Sequence, residues 1–358
     1  MNDTDGSESG TDAETDRTAG EVVTTAHGSG GAKMRELVES LVVDRFPGNG
    51  DADVGLSALD DGAVLPVDDE RSMALTTDSH VVTPPEFPGG DIGRLAVAGT
   101  VNDLAVMGAT EPAAMTFSLI VEEGIAVSFL DRITESVRGT CGAAGCDVVA
   151  GDTKVMGNGE LDGIAVNTAG VGLIPRHSHV PDAGLCPGDR ILVSGTLGDH
   201  GIALLSAREG FDFEGGLESD VAPVNGLVRA ALDAGEVTAM KDPTRGGFAT
   251  AINEMAAKAN VGVELDERQL PVDGSVAAAG EVLGIEPLDV ANEGKVVFGV
   301  DDDDAEAVLA AMREHPLGSE AAIVGKATED HAGRVVLDTG IGRRYLSEPD
   351  GEQLPRIC

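Results

Sequence analysis

Basic residues are scarce in this 358-residue chain. Lys plus Arg number 24 against 63 Asp plus Glu, a formal charge of −39, and only six of the 24 are Lys. Phosphate backbones are bound by clustered Lys and Arg, so nucleic-acid binding is excluded as a main role. Docking on an anionic membrane is excluded on the same ground. Trp is absent, Tyr occurs once, and the aromatic share is 3%. The four cysteines, Cys141, Cys146, Cys186 and Cys358, are too few for a disulfide scaffold. No apolar run approaches the ~18 residues of a membrane span. The first twenty residues hold no apolar core of a signal peptide. These absences together point to a reducing cytoplasm.

What is present is ample for a core. Hydrophobic residues make up 42% and Gly numbers 49, and the length suits about two domains. Residues 1–26 carry seven acids and one Arg, which leaves −33 for the body. Such self-repulsion costs stability and is screened by concentrated salt, so the composition suits a salt-adapted organism. Residues 1–26 cannot bury a core and read as a disordered acidic tail. Apolar spacing predicts helices over 33–46, 91–108, 128–144, 199–208, 223–234 and 247–259. Strands are predicted over 62–67, 72–77, 113–121, 146–150 (ending at Gly151-Asp152), 163–174, 190–194, 261–265, 295–300 and 321–326. A boundary is expected within 175–189, where Pro175, Pro181, Pro187, Gly184 and Gly188 cluster. From Tyr345 onward periodicity is lost. The alternation favours an α/β or α+β class.

Acidic residues recur at the ends of apolar elements: Asp60-Asp61-Gly62, Thr77-Asp78, Asn102-Asp103 inside an apolar helix, and Gly151-Asp152-Thr153-Lys154. Each Asp alone could be a cap or a turn former. Asp103, flanked by Val101 and Leu104, would instead be a buried carboxylate, which is costly without a partner. Converging carboxylates suit a hard cation such as Mg²⁺, which takes oxygen ligands and shares them with phosphate. Gly28, Gly30 and Gly31 precede the first helix and could offer bare N–H groups to phosphate. They match neither a Walker loop nor a dinucleotide fingerprint. Asp242-Pro243-Thr244-Arg245-Gly246-Gly247 suits an anion at a helix start, or is simply a helix start. Glu293, between apolar runs, is a possible base or an exposed turn. Cys141 and Cys146 read as core thiols, and His177 and His179 as loop surface. Cys358 is the last residue, behind Leu354-Pro355-Arg356-Ile357. A terminal thiol there could act as a movable nucleophile.

The segment Leu354 to Cys358, with the glycine cluster, the four acidic sites, Asp242 to Gly247 and Ala291 to Lys295, resembles the HypE family. These are the carbamoyl dehydratases of [NiFe] hydrogenase maturation, and the likeness spans residues 27–358. It implies a two-domain α/β and α+β fold like that of aminoimidazole ribonucleotide synthetase (PurM-like). Residues 27–174 would be an ATP-binding and dimerisation domain. Residues 175–344 would be an α+β domain, and 345–358 a flexible tail carrying Cys358. The resemblance implies ATP with Mg²⁺, and a carbamoyltransferase partner that loads Cys358. The S-carboxamide is then dehydrated to a thiocyanate, and the cyano group passes to an iron-carrying hydrogenase assembly complex. Asp60, Asp61, Asp78, Asp103 and Asp152 would meet metal and phosphate charge. Asn102 and Thr153 would join the glycines at the nucleotide, Lys154 would act in catalysis on phosphate or the carboxamide oxygen, and Glu293 would take the amide proton. Other ATP-using enzymes of the superfamily, of the thiamine-monophosphate kinase or selenophosphate synthetase type, share the Asp sites. An enzyme with a diffusible substrate has no use for the terminal cysteine, and a non-catalytic scaffold, the other alternative, would tolerate Asp103→Ala and Asp152→Ala.

Overall fold

The computed structural model describes residues 22–28, 30–46, 48, 50–211 and 216–349. Cys358 and residues 1–21 therefore lie outside the described residues. The first half holds α1 (Ala32–Leu41), β1 (Ala63–Pro66), β2 (Arg71–His80), the short pair β3 (Glu86–Phe87) and β4 (Gly90–Asp91), α2 (Ile92–Val106), β5 (Pro112–Glu122), α3 (Val127–Ala144), β6 (Val148–Met156) and β7 (Ile164–Pro175). Five of these strands form one sheet in the order β1-β2-β7-β5-β6, antiparallel except for β5 and β6.

The second half begins with β8 (Arg190–Val193), α4 (Asp199–Glu209), α5 (Asn225–Ala234), β9 (Val237–Lys241) and α6 (Gly247–Ala259). It continues with β10 (Gly262–Asp266), α7 (Gly274–Leu283), β11 (Val297–Val300), α8 (Ala305–Glu314), β12 (Ala322–Thr328), β13 (Val335–Asp338) and β14 (Arg343–Leu346). Its seven strands run β14-β13-β10-β12-β8-β11-β9, with only β10 and β13 parallel.

Helix α2 organises the molecule. Asp91 caps it, its carboxylate accepting from the Gly93 and Arg94 N–H groups at 2.8 and 3.0 Å. Nearly every position along it is buried, as expected of a helix that is apolar all round. One side lies on α3 and the sheet. The other packs into the second half: Ile92 and Leu95 share a core with Ile202, Leu204, Val221 and Val290. At its far end Ala105 and Val106 join Val224, Leu227 and Phe298. The two halves are thus one packed body.

Three expectations change. Strand β6 does not end at Gly151-Asp152. Its parallel ladder with β5 continues through Ser118↔Asp152 and Ile120↔Lys154. An edge position leaves these polar side chains in water, so strand pairing tolerates them. Tyr345 and Leu346 are not irregular either, because they pair with Val336 and Val335. Helices α7 and α8 and strands β9, β13 and β14 were not anticipated. Cys141 and Cys146 are buried thiols.

Candidate active site

A cavity of about 310 Å³ opens where the halves meet. Asp60 and Asp61 enter it from the turn before β1, Thr76 to Asp78 from β2, and Asp103 from α2. From the second half come Lys241 and Asp242 at the end of β9, Arg245, the first turns of α6, and Glu293. Gly30, Gly31, Met34 and Arg35 close one side. Gly30 has φ +82°, and a Cβ there would stand 2.9 Å from the Arg245 carbonyl oxygen. Only glycine lets the two loops touch in this way.

Buried polar atoms without a partner distinguish this cavity. They are Asp61 Oδ2, Asp242 Oδ2, Thr250 Oγ1 and Glu293 Oε1. Native interiors rarely leave such groups unmatched. Four in one cavity describe a surface that awaits donors or cations. Around them the framework is well bonded. Thr76 Oγ1 donates to Asp103 Oδ2 at 2.7 Å. Lys241 Nζ donates to Asp61 Oδ1 at 2.7 Å and to Asp182 Oδ2 at 3.4 Å, with Glu254 Oε2 at 3.6 Å. Lys258 Nζ donates to Asp182 Oδ2 at 2.5 Å and to the Leu59 carbonyl at 2.6 Å. His80, buried, holds its Nε2 3.2 Å from Asp78 Oδ2.

The electrostatics follow from this crowding. Burial first, and then Asp182 and Asp61, push Asp60 up to about 7. Burial and Asp61 push Asp242 up to about 8. Asp103 and Glu293 lie well above the carboxylate range, through burial and then the charge of Asp242. Burial alone would lower Lys241, but Asp61, Asp182 and Glu254 outweigh it and hold the ammonium charged. The first four groups each resist ionising beside the others. Added positive charge would relieve all of them.

Of the residues singled out from sequence, Gly30, Gly31, Asp60, Asp61, Asp78, Asp103 and Glu293 meet at this cavity. Gly28 is exposed and does not line it. Asn102 faces elsewhere: its amide bonds to Ala222 O, Glu293 O and the Val224 N–H. Asp152, Thr153 and Lys154 lie on exposed β6, where Lys154 Nζ pairs with Asp152 Oδ2 at 2.7 Å. The pattern of acids did not reveal Lys241, Thr250, Glu254 or Lys258. The available signal was a Lys directly before Asp242, at the end of an apolar run, in a chain with six lysines.

The last described residues approach the same cavity. After β14 the chain passes α1, where the Arg35 guanidinium donates to Glu348 Oε2 at 2.9 Å and to Glu254 Oε1 at 3.1 Å. A Cβ on Gly31 would lie 3.9 Å from the Pro349 carbonyl oxygen.

Residues 59–174 match the N-terminal domain of AIR synthase related proteins, and residues 186–338 match the C-terminal domain. Carbamoyl dehydratase HypE of Cupriavidus necator is 45% identical over 334 residues, 93% of this chain and 93% of that protein. A crystal structure of a HypE–HypF complex holds a chain that superposes with TM-score 0.81 at 40% identity, covering 89% of this chain and all of that one. The crystal structure of hydrogenase maturation protein HypE in complex with ATP gives TM-score 0.78 at 39% identity, over 92% of this chain and 98% of that one. Both halves and nearly the full length agree, and the chain belongs to the HypE family of carbamoyl dehydratases.

Proposed function

We propose that this chain dehydrates an S-carbamoyl group on its own Cys358 to a thiocyanate at the expense of ATP, supplying the cyano ligand of [NiFe] hydrogenase iron. The observation that carries this reading is a cavity of unpartnered acceptors whose Gly31 and Arg35 wall is met by Glu348 and Pro349, the last described residues. Cys358 is nine positions beyond Pro349, a reach of up to about 30 Å for an extended chain. A terminal thiol can therefore enter the cavity.

Oxide is a poor leaving group, so the amide oxygen must first be phosphorylated. In S–C(=O)–NH₂ the oxygen attacks the γ-phosphoryl of ATP and ADP departs. Loss of one N–H proton leaves S–C(OPO₃)=NH. Removing the second N–H proton expels phosphate and forms S–C≡N. Glu293, buried and with an uncommitted Oε1, is suited to take that proton once added positive charge lets it ionise, because burial raises the basicity of its carboxylate. Arg245, which lines the cavity beside the start of α6, would meet phosphate there. Asp60, Asp61, Asp78 and Asp103 offer hard oxygen ligands that fit Mg²⁺. Among the described residues no three such side chains stand at spacing able to hold a metal alone, which suits an ion completed by phosphate and water. When bound, Mg²⁺ neutralises charge on the transferring phosphoryl group.

Edge strand β6 exposes Val149 and Val155. We read it as the edge that a second copy covers. Any phosphate contact by Asp152, Thr153 and Lys154 depends on that pairing. A carbamoyltransferase loads Cys358, and an iron-carrying assembly complex unloads it. Cys141, Cys146 and Cys186 are unpaired thiols, which suit the reducing cytoplasm. The acidic surface suits a salt-adapted organism. The test is the mass of the intact chain after incubation with carbamoyl donor and MgATP. A cyano adduct should form on Cys358, and Cys358→Ala should bind ATP without forming it. ATP turnover with no adduct on the wild-type chain would instead support a kinase of the same fold.

A further inference from the structure

Asp220 does not itself line the cavity, yet its carboxylate is committed to the loop that carries Glu293. Its Oδ1 accepts the Glu293 N–H at 3.1 Å. Its Oδ2 accepts from Asn292 Nδ2 at 2.9 Å and from Lys295 Nζ at 3.0 Å. The three donors come from four consecutive residues. The side chain is 4% exposed. On the other side of Glu293, its carbonyl accepts from Asn102 Nδ2 at 3.1 Å and from the Ala222 N–H at 3.3 Å. Asn102 is itself fixed, accepting the Val224 N–H at 2.8 Å and donating to Ala222 O at 3.1 Å.

Both peptide groups of Glu293 are thus pinned, while its Oε1 is left without a partner. The loop also lies against the Asp220 segment at a distance only glycine permits, because a Cβ on Gly294 would fall 2.0 Å from Asp220 O. A buried ion pair such as Asp220–Lys295 is a poor source of stability, since desolvation offsets its attraction. Its geometry is better explained by what it holds in place. We propose that Asp220, seconded by Asn102, is a positioning residue that fixes the Glu293 carboxylate toward the reacting amide. This rests on the reading of Glu293 as the proton acceptor.

The experiment is a double-mutant cycle on the full chain, loaded with carbamoyl on Cys358. Single-turnover cyano formation is followed by intact mass across a range of MgATP. Asp220→Ala should lower the rate at saturating ATP by about 100-fold, the scale of a 1 Å misplacement. Its half-saturating ATP concentration should stay within about twofold of wild type, because uniform binding is untouched. Combined with Glu293→Gln, it should add less than about threefold, as expected for residues acting as a unit. Asp220→Asn keeps an acceptor for the Glu293 N–H and is carried through the same cycle should the alanine variant not fold. A full rate in the Asp220 variants, or effects that multiply with those of Glu293→Gln, would overturn the proposal while the slow residual rate of Glu293→Gln still upheld the acceptor reading. A wild-type rate in Glu293→Gln alone would remove the acceptor reading, and the positioning role with it.

Discussion

Replacing Lys241 with Met tests whether the cavity floor is ionised as its geometry suggests. The ammonium lies 2.7 Å from Asp61 Oδ1, 3.4 Å from Asp182 Oδ2 and 3.6 Å from Glu254 Oε2. At an effective dielectric of about 20, gross attractions at these distances are each about 5–6 kcal/mol. Burying the ammonium and its partners cancels most of this, several kcal/mol per ion. Asp182 would keep Lys258 at 2.5 Å, but Asp61 would lose the hydrogen bond to its Oδ1. Breaking such a buried group from one side costs about 3–5 kcal/mol. For domains of this size that lowers Tm by roughly 10 °C. Calorimetry of wild type, Lys241→Met, Asp61→Asn and the double variant reads the effect. The double variant should recover about 2 kcal/mol relative to additivity, because the stranded charge is gone. A Tm for Lys241→Met within about 2 °C of wild type, less than 1 kcal/mol, would show that the facing carboxyls are neutral at rest and refute the argument.

Asp289 gives a pH test away from the cavity. Burial, and then Glu286, raise its pKa to about 6, against a small opposing pull from Arg344. The folded state therefore favours the protonated form. The stability this contributes is full below the unfolded pKa near 3.9 and is lost as pH rises through about 6. Asp289→Asn should be more stable than wild type at pH 7.5 by about 1 kcal/mol, the shift being discounted because the group is only half-buried. The difference should vanish near pH 4, and urea unfolding at the two pH values measures it. An equal difference at both would point to packing. With a formal charge of −39, Tm should also climb as NaCl rises from about 0.1 to 1 M, where the screening length falls from about 10 to 3 Å. A flat response would remove self-repulsion as the reason for screening.

The sequence was most informative where a local physical rule applied. Asp103 was conspicuous because a carboxylate inside an apolar helix needs a reason, and it lies on the cavity wall. Asn102, its neighbour, was read toward the nucleotide and instead bonds to Glu293 and Ala222. About 100° of helical turn separates adjacent residues, so the two share a helix and not a face. Lys241 and Lys258 were missed because their partners, Asp61 and Asp182, are distant in sequence and no spacing rule connects them. Asp152 was read at a strand's end, since Gly and Asp commonly close strands. Its pairing across from Ser118 depends on β5, which local composition does not report.

The way α2 is shared has a consequence for how the reaction can be staged. Asp103 on one of its faces lines the cavity, and Asn102 on another holds the peptide of the proposed proton acceptor. The groups that would phosphorylate and those that would deprotonate are therefore set by one helix, within a core common to both halves. Parting the halves to admit a substrate would expose Ile92, Leu95, Ile202, Leu204 and Val290, all buried, at about 1.5–3 kcal/mol per side chain. Over five side chains that is about 7.5–15 kcal/mol, as large as a typical domain's whole marginal stability of about 5–15 kcal/mol. A site that stays assembled while its substrate arrives, on the side formed by Gly31 and Arg35, avoids that cost. On the proposed function the substrate is carried by Cys358, nine positions beyond Pro349; it would come to the site without the halves parting.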